Sequence, residues 1–108
     1  MGTPKVQPSA GEDPVRVDAK HYQIEFEDER VRVVRARYGP REKSAMHGHP
    51  RLVGVCLTDV HSRFMYPDGR SEEVRAKAGQ VMHFDALEHL PENLSDQPME
   101  LILVELKG

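Results

Sequence analysis

Short runs of alternating apolar and polar residues, cut off by turn signals roughly every eight to twelve residues, dominate this chain from Tyr22 onward. Tyr22-Gln-Ile-Glu-Phe26 alternates with a period of two, the mark of a half-buried strand. Val31 to Tyr38 alternates with a one-residue slip, which predicts a bulge near Val33 and Val34. Leu52 to Thr58 and Ser62 to Tyr66 are further runs, and Pro67-Asp-Gly69 between apolar stretches is a tight turn. Glu72 to Ala76, Val81 to Phe84, a strand starting at His89 and Met99 to Leu106 complete the series. No segment keeps a helical period over a useful length. The pattern therefore predicts about nine short strands and an all-β sandwich or small barrel.

A length of 108 residues sets the scale: one domain with one modest core. Residues 1–14 carry three prolines and two glycines and read as a mobile N-terminal arm, leaving 15–108 as the barrel domain. The net charge of −3 supplies no basic face to neutralise phosphates, which argues against nucleic acid as a partner. A single cysteine, Cys56, forms no internal disulfide and points to a reducing, cytoplasmic compartment. No apolar stretch is long enough to span a bilayer, so no membrane partner is expected.

Chemistry concentrates at the histidines. His47 and His49 stand at i and i+2, which on a strand turns both imidazoles to one face. His89, arriving on a distant strand, would close a metal site on that face. Neutral imidazoles suit Fe, Ni, Zn or Mn, and three of them leave coordination positions open. Continuing the same parity along an unbroken strand brings Arg51 and Val53 to that face, and turns Leu52, Gly54 and Cys56 outward. Arg51 would then clamp a substrate carboxylate. His83 is a candidate fourth ligand or acid/base, against the plainer account of a half-buried strand residue. Met82 and Phe84, with Met46, Met65 and Phe64, are candidate pocket-lining residues. His21 and His61 lie near turns and read as exposed.

On these residues the chain resembles a single-domain cupin over roughly residues 22–106. Gly39, His47 and His49 match the first cupin motif, and Gly79, His89 and Asn93 match the second. Tyr38-Gly-Pro-Arg-Glu-Lys-Ser-Ala-Met-His-Gly-His-Pro50 and the ending Ile102-Leu-Val-Glu-Leu-Lys107 are similar to small cupins associated with beta-alanine degradation. The resemblance implies a double-stranded β-helix, a jelly-roll barrel of two antiparallel sheets. It also implies a divalent transition metal in the barrel mouth and a homodimer. The position four beyond His49, where cupins place a glutamate ligand, is Val53, and the Pro-x-Gly turn is replaced by Asp85-Ala-Leu87. The implied centre is thus three-histidine, with weaker metal binding and a stronger Lewis acid than a centre with a carboxylate.

Two function classes follow. One is a metalloenzyme (dioxygenase-, isomerase- or hydrolase-like) acting on a small polar metabolite. The other is a non-catalytic ligand-binding or sensory barrel with a degenerate site. Leu52 to Leu57 and Leu101 to Val104 are apolar on both sides, more than one small core buries, which again predicts a homodimer.

Overall fold

Alternation along the last strand builds the inner wall of the barrel: Met99, Leu101, Leu103 and Glu105 are buried, while the residues between them are half-buried. This strand is β9 (Met99–Leu106) of nine in a computed structural model that describes residues 11–108. The others are β1 (Tyr22–Glu27), β2 (Val31–Tyr38), β3 (His47–His49), β4 (Leu52–Cys56), β5 (Val60–Met65), β6 (Ser71–Ala76), β7 (Val81–Phe84) and β8 (Leu87–Asn93). A single helical turn, α1 (Pro14–Val17), precedes them, with Asp13 as its N-cap. No helix among the described residues is long and apolar enough to cross a membrane.

The strands form two antiparallel sheets, ordered β1-β2-β9-β4-β7 and β3-β8-β5-β6. Most neighbours are not consecutive in sequence, so the chain crosses repeatedly between sheets in jelly-roll fashion. Between the sheets lie Tyr22, Val34, Ala36, Tyr38, Leu52, Cys56, Val60, Met99, Leu101 and Leu103. Burying a side chain such as Val34, which is wholly inaccessible, contributes about 1.5–3 kcal/mol. Gly69 and Gly79 take φ values of 91° and 87° in the β5–β6 and β6–β7 turns, a region that favours glycine. Asn93 bolts the far end shut: its side-chain amide donates to the Gly39 and Gln97 carbonyls at 3.1 and 2.8 Å.

Three expectations shift. The bulge lies on β1 rather than β2, because the pairing jumps from Ile24↔Val34 to Phe26↔Val33 and leaves Glu25 as the extra residue. β2 meanwhile pairs without a break with β9, since its inner row must stay in register with the core. Strand β1 is a sheet edge, so beyond Tyr22 it is exposed rather than half-buried. Of the segment read as an arm, residues 1–10 lie outside the described residues. Gly11 to Pro14 are held: the Gly48 N–H donates to the Glu12 carbonyl at 2.7 Å, and Pro14 is buried.

Candidate metal centre

Strand β3 is three residues long and buried throughout, because it is pressed between β8 and the segment around Glu12. Its two histidines project to the same side, and the β3–β8 register sets His47 directly opposite His89. The ring centroids of the three imidazoles lie 4.8 to 5.2 Å apart. One nitrogen from each falls within 4.8 Å of the others, and all three residues are buried.

Partners behind the rings decide which nitrogens face the centre. His49 Nδ1 sits 2.8 Å from a Glu105 carboxylate oxygen. An ionised carboxylate accepts only, so Nδ1 carries the proton. His47 Nδ1 lies 2.9 Å from the Ala45 carbonyl, which also only accepts, and 3.0 Å from Ser44 Oγ, whose hydroxyl donates to Asp18 at 2.6 Å. Both Nε2 atoms are thereby left as acceptors, yet they stand 3.1 Å apart. Two lone pairs held that close in a buried site call for a cation between them. The third imidazole decides for a metal ion over a proton. Among the described residues neither nitrogen of His89 has a hydrogen-bond partner, although the ring is only 5% exposed. A shared proton would leave His89 unsatisfied. The 3.1 Å separation of the His47 and His49 nitrogens fits about 2.0–2.1 Å from one ion, and a set that spans up to 4.8 Å would draw in by a few tenths of an ångström to put all three rings on it. The donor set therefore fits a divalent transition metal.

Electrostatics agree. Burial, and then the neighbouring His49, push His47 down to about 4. Burial, and then His49 and His47, push His89 down to about 2. Both rings are thus neutral at ordinary pH, the form in which an imidazole can bind a metal. Burial works to raise Glu105, but hydrogen bonds and charges from His49 and Arg32 outweigh it and hold the carboxyl below its usual range.

Beside the histidines lies a cavity of about 50 Å³, room for a few water-sized groups. His49 and His89 are among its lining residues, and Phe64, Met82, Phe84 and Leu101 are among its apolar walls. The hydroxyls of Tyr22 and Tyr38, two other lining residues, bond each other at 2.6 Å. Burial pushes both phenols up, so they stay protonated.

The sequence-derived candidates divide. Met82 and Phe84 line this cavity, but Arg51, Val53 and His83 do not. Those three are corrected: the continuous parity assumed from His49 to Val53 breaks at Pro50, where the chain leaves the four-stranded sheet for the five-stranded one. The crossing turns Leu52, Gly54 and Cys56 inward and sends Val53 out. Val53 pairs with His83 on β7, and the exposed His83 accepts a hydrogen bond from Arg51 Nε at 3.0 Å on the outer face. His83 is therefore neither a fourth ligand nor a cavity acid/base, and Arg51 clamps nothing in the cavity. His21 is also corrected. It is 6% exposed, held between Asp18 and Glu42 at 2.7 and 2.9 Å and stacked on Tyr38.

Glu105, Arg32, Asp18 and Ser44 were missed. For the first two a signal existed. Met99-x-Leu101-x-Leu103-x-Glu105 puts an acid on the inner row, and Arg32-x-Val34-x-Ala36-x-Tyr38 puts a base on its neighbour. The register pairs Arg32 with Glu105.

No protein-family model matches the sequence, and no curated protein matches it either. Solved structures do. A cupin domain from Bordetella pertussis Tohama I is 22% identical, with 100% of this chain and 99% of that one covered at a TM-score of 0.74. A double-stranded β-helix protein from Klebsiella pneumoniae is 21% identical over 95% of this chain and 84% of that one, at 0.65. An oxalate oxidase is 14% identical, covering 71% of this chain and 42% of that one, at 0.56. The chain is a small single-domain barrel of the cupin fold, and its three buried histidines make it a candidate metal cupin.

Proposed function

We propose that this protein is a metal-binding cupin that acts on a small ligand at a His47-His49-His89 centre, with Fe, Ni, Zn or Mn as the ion. The observation that carries the reading is the pair of Nε2 lone pairs 3.1 Å apart beside an imidazole with no other partner. When bound, the metal would supply Lewis-acid or redox chemistry at the cavity end. The chain's own residues fix the imidazole orientations, exclude water with apolar walls and bound the ligand's size.

Among the described residues the cavity lining contains no Lys, Arg, Asp or Glu. Three neutral imidazoles leave most of an ion's charge uncompensated, which favours a compact anionic ligand with an apolar body. The likeness to an oxalate oxidase, named for a small carboxylate, is in keeping with that class. A second reading, a non-catalytic ligand-binding barrel, draws on the absence, among the described residues, of a free acid/base in the lining beyond the histidines of the centre: the two tyrosine hydroxyls occupy each other.

The proposal extends to a homodimer in the cytoplasm. The outer face of the five-stranded sheet carries Phe26 and Val81 at 54% and 60% exposure, with Val33, Val104, Ile102, Val53 and Val55 between them. The buried Cys56 thiol suits a reducing compartment. Size-exclusion chromatography with light scattering at micromolar concentration should give twice the chain mass; the monomer mass would refute the dimer.

Metal content of untagged protein by mass spectrometry, beside a His47→Ala/His49→Ala variant, tests the centre. Near-stoichiometric metal in the parent and its loss in the variant are expected. No metal even after reconstitution would overturn the reading. Turnover of small carboxylates by the loaded protein would separate the enzyme from the binding barrel, which would show ligand-induced stabilisation alone.

A further inference from the structure

Glu105 is 2% exposed and touches two things. Its Oε2 accepts from His49 Nδ1 at 2.8 Å, and its Oε1 accepts from Arg32 Nε at 2.8 Å. The remaining arm of Arg32 grips both oxygens of Asp13 at 3.0 and 2.9 Å, and Asp13 caps α1 by accepting from the Val15 N–H. An unbroken charged chain thus runs from the start of α1 through Asp13, Arg32 and Glu105 to the back of His49. The same segment takes the backbone N–H of Gly48, between the two β3 histidines, onto the Glu12 carbonyl.

A carboxylate behind a ligating imidazole fixes its tautomer, holds its plane and makes its far nitrogen a better donor. Val53, four residues beyond His49, points away from the cavity. From these contacts we propose that Glu105 is the positioning residue of the centre: it supplies through His49 the negative charge the ligand set lacks, and Asp13 and Arg32 hold it in place. The proposal rests on the metal reading above, deepens it, and makes residues 11–17 part of the site's support.

Two measurements test it. In the metal-free parent, long-range proton–nitrogen NMR of the imidazoles at pH 7.5 should show His49 protonated at Nδ1. Protonation at Nε2 with a bare Nδ1 would overturn the proposal whether or not metal binds. In a competition titration with a chromophoric chelator, Glu105→Gln should bind Zn2+ about 10–100-fold more weakly than the parent and alter the Co2+ absorption spectrum. Val34→Ala, a core truncation on β2 beside Arg32, controls for general loosening and should bind zinc as the parent does. Equal zinc affinity in Glu105→Gln and parent, or an equal loss in Val34→Ala, would reduce Glu105 to a packing residue. Should Glu105→Gln fail to fold, Asp13→Asn at the more exposed end of the chain should still weaken zinc several-fold, and parent-like affinity there would count against the relay. A parent that binds no zinc would sink the metal reading instead and leave the NMR result standing on its own.

Discussion

His49 and His89 face each other across the centre with ring centroids 5.2 Å apart, and their surroundings are opposites. Behind His49 stand Glu105 and Arg32, and behind its neighbour His47 stand the Ala45 carbonyl, Ser44 and Asp18. His89 packs perpendicular to the Phe64 ring, with centroids 4.3 Å apart, and has no polar partner among the described residues. One side of the site is wired and the other is greasy. The wired side holds its imidazoles by hydrogen bonds; the greasy side shapes the cavity and leaves its imidazole without a polar partner among the described residues. Without metal the cost should therefore be shared between the unpartnered His89 and the close pair of Nε2 lone pairs on His47 and His49.

The largest test of that contrast is Glu105→Leu. It strips a 14%-exposed Arg32 side chain and His49 of their shared partner, and should destabilise the metal-free protein by about 3–5 kcal/mol in urea unfolding. A loss below about 1 kcal/mol would show the wired side to be slack.

Next in size is the pH response of the metal-free protein. His47 and His89 are depressed to about 4 and about 2 in the folded state, below the unfolded value near 6.5. Below pH 6.5 the unfolded chain takes up protons that the folded chain refuses, so stability falls as pH falls. Two such groups lower it by about 2–3 kcal/mol between pH 7.5 and 5.5. The loss continues to about pH 4 for His47 and about pH 2 for His89, and denaturant unfolding with chelator present measures it. A flat profile between pH 7.5 and 5.5 would contradict the buried, neutral state of both rings.

His89→Leu should act in the opposite direction to Glu105→Leu. It abolishes stoichiometric metal but removes an unsatisfied buried imidazole, raising metal-free stability by about 1–3 kcal/mol. It should also flatten the pH response by roughly half. Destabilisation on this change would mean that His89 is already satisfied. Smallest of all is His83→Ala on the outer face, which should move stability by less than about 0.5 kcal/mol and leave metal content unchanged. Loss of metal there would reopen its place in the site.

Much of the barrel was legible because strand patterning is local. Period-two alternation located the strands, Gly69 and Gly79 marked turns that need positive φ, and His47-Gly-His49 put two imidazoles on one side of one strand. Met82 and Phe84 lie two apart on one short strand and both line the cavity, whereas Met46 and Met65 do not. Parity failed where the chain changed sheets: nothing local in His49-Pro50-Arg51 says that the next strand belongs to the opposite wall. The bulge was sensed at Val33 and Val34 but lies across the ladder at Glu25, since a slip in register is shared by two strands and only the β2–β9 pairing settles which one yields.

What the sequence by itself determined is the strand set, its turns and the β3 histidine pair, all consequences of neighbouring residues and steric preference. The tertiary structure alone decided that His89 stands opposite His47 and that Glu105 stands behind His49. It alone ran Arg32 and Asp13 on to the start of α1, and it turned Arg51, Val53 and His83 outward. Those placements depend on which strands pair and in what register, and register is fixed by burial of the whole inner row rather than by any segment's own pattern.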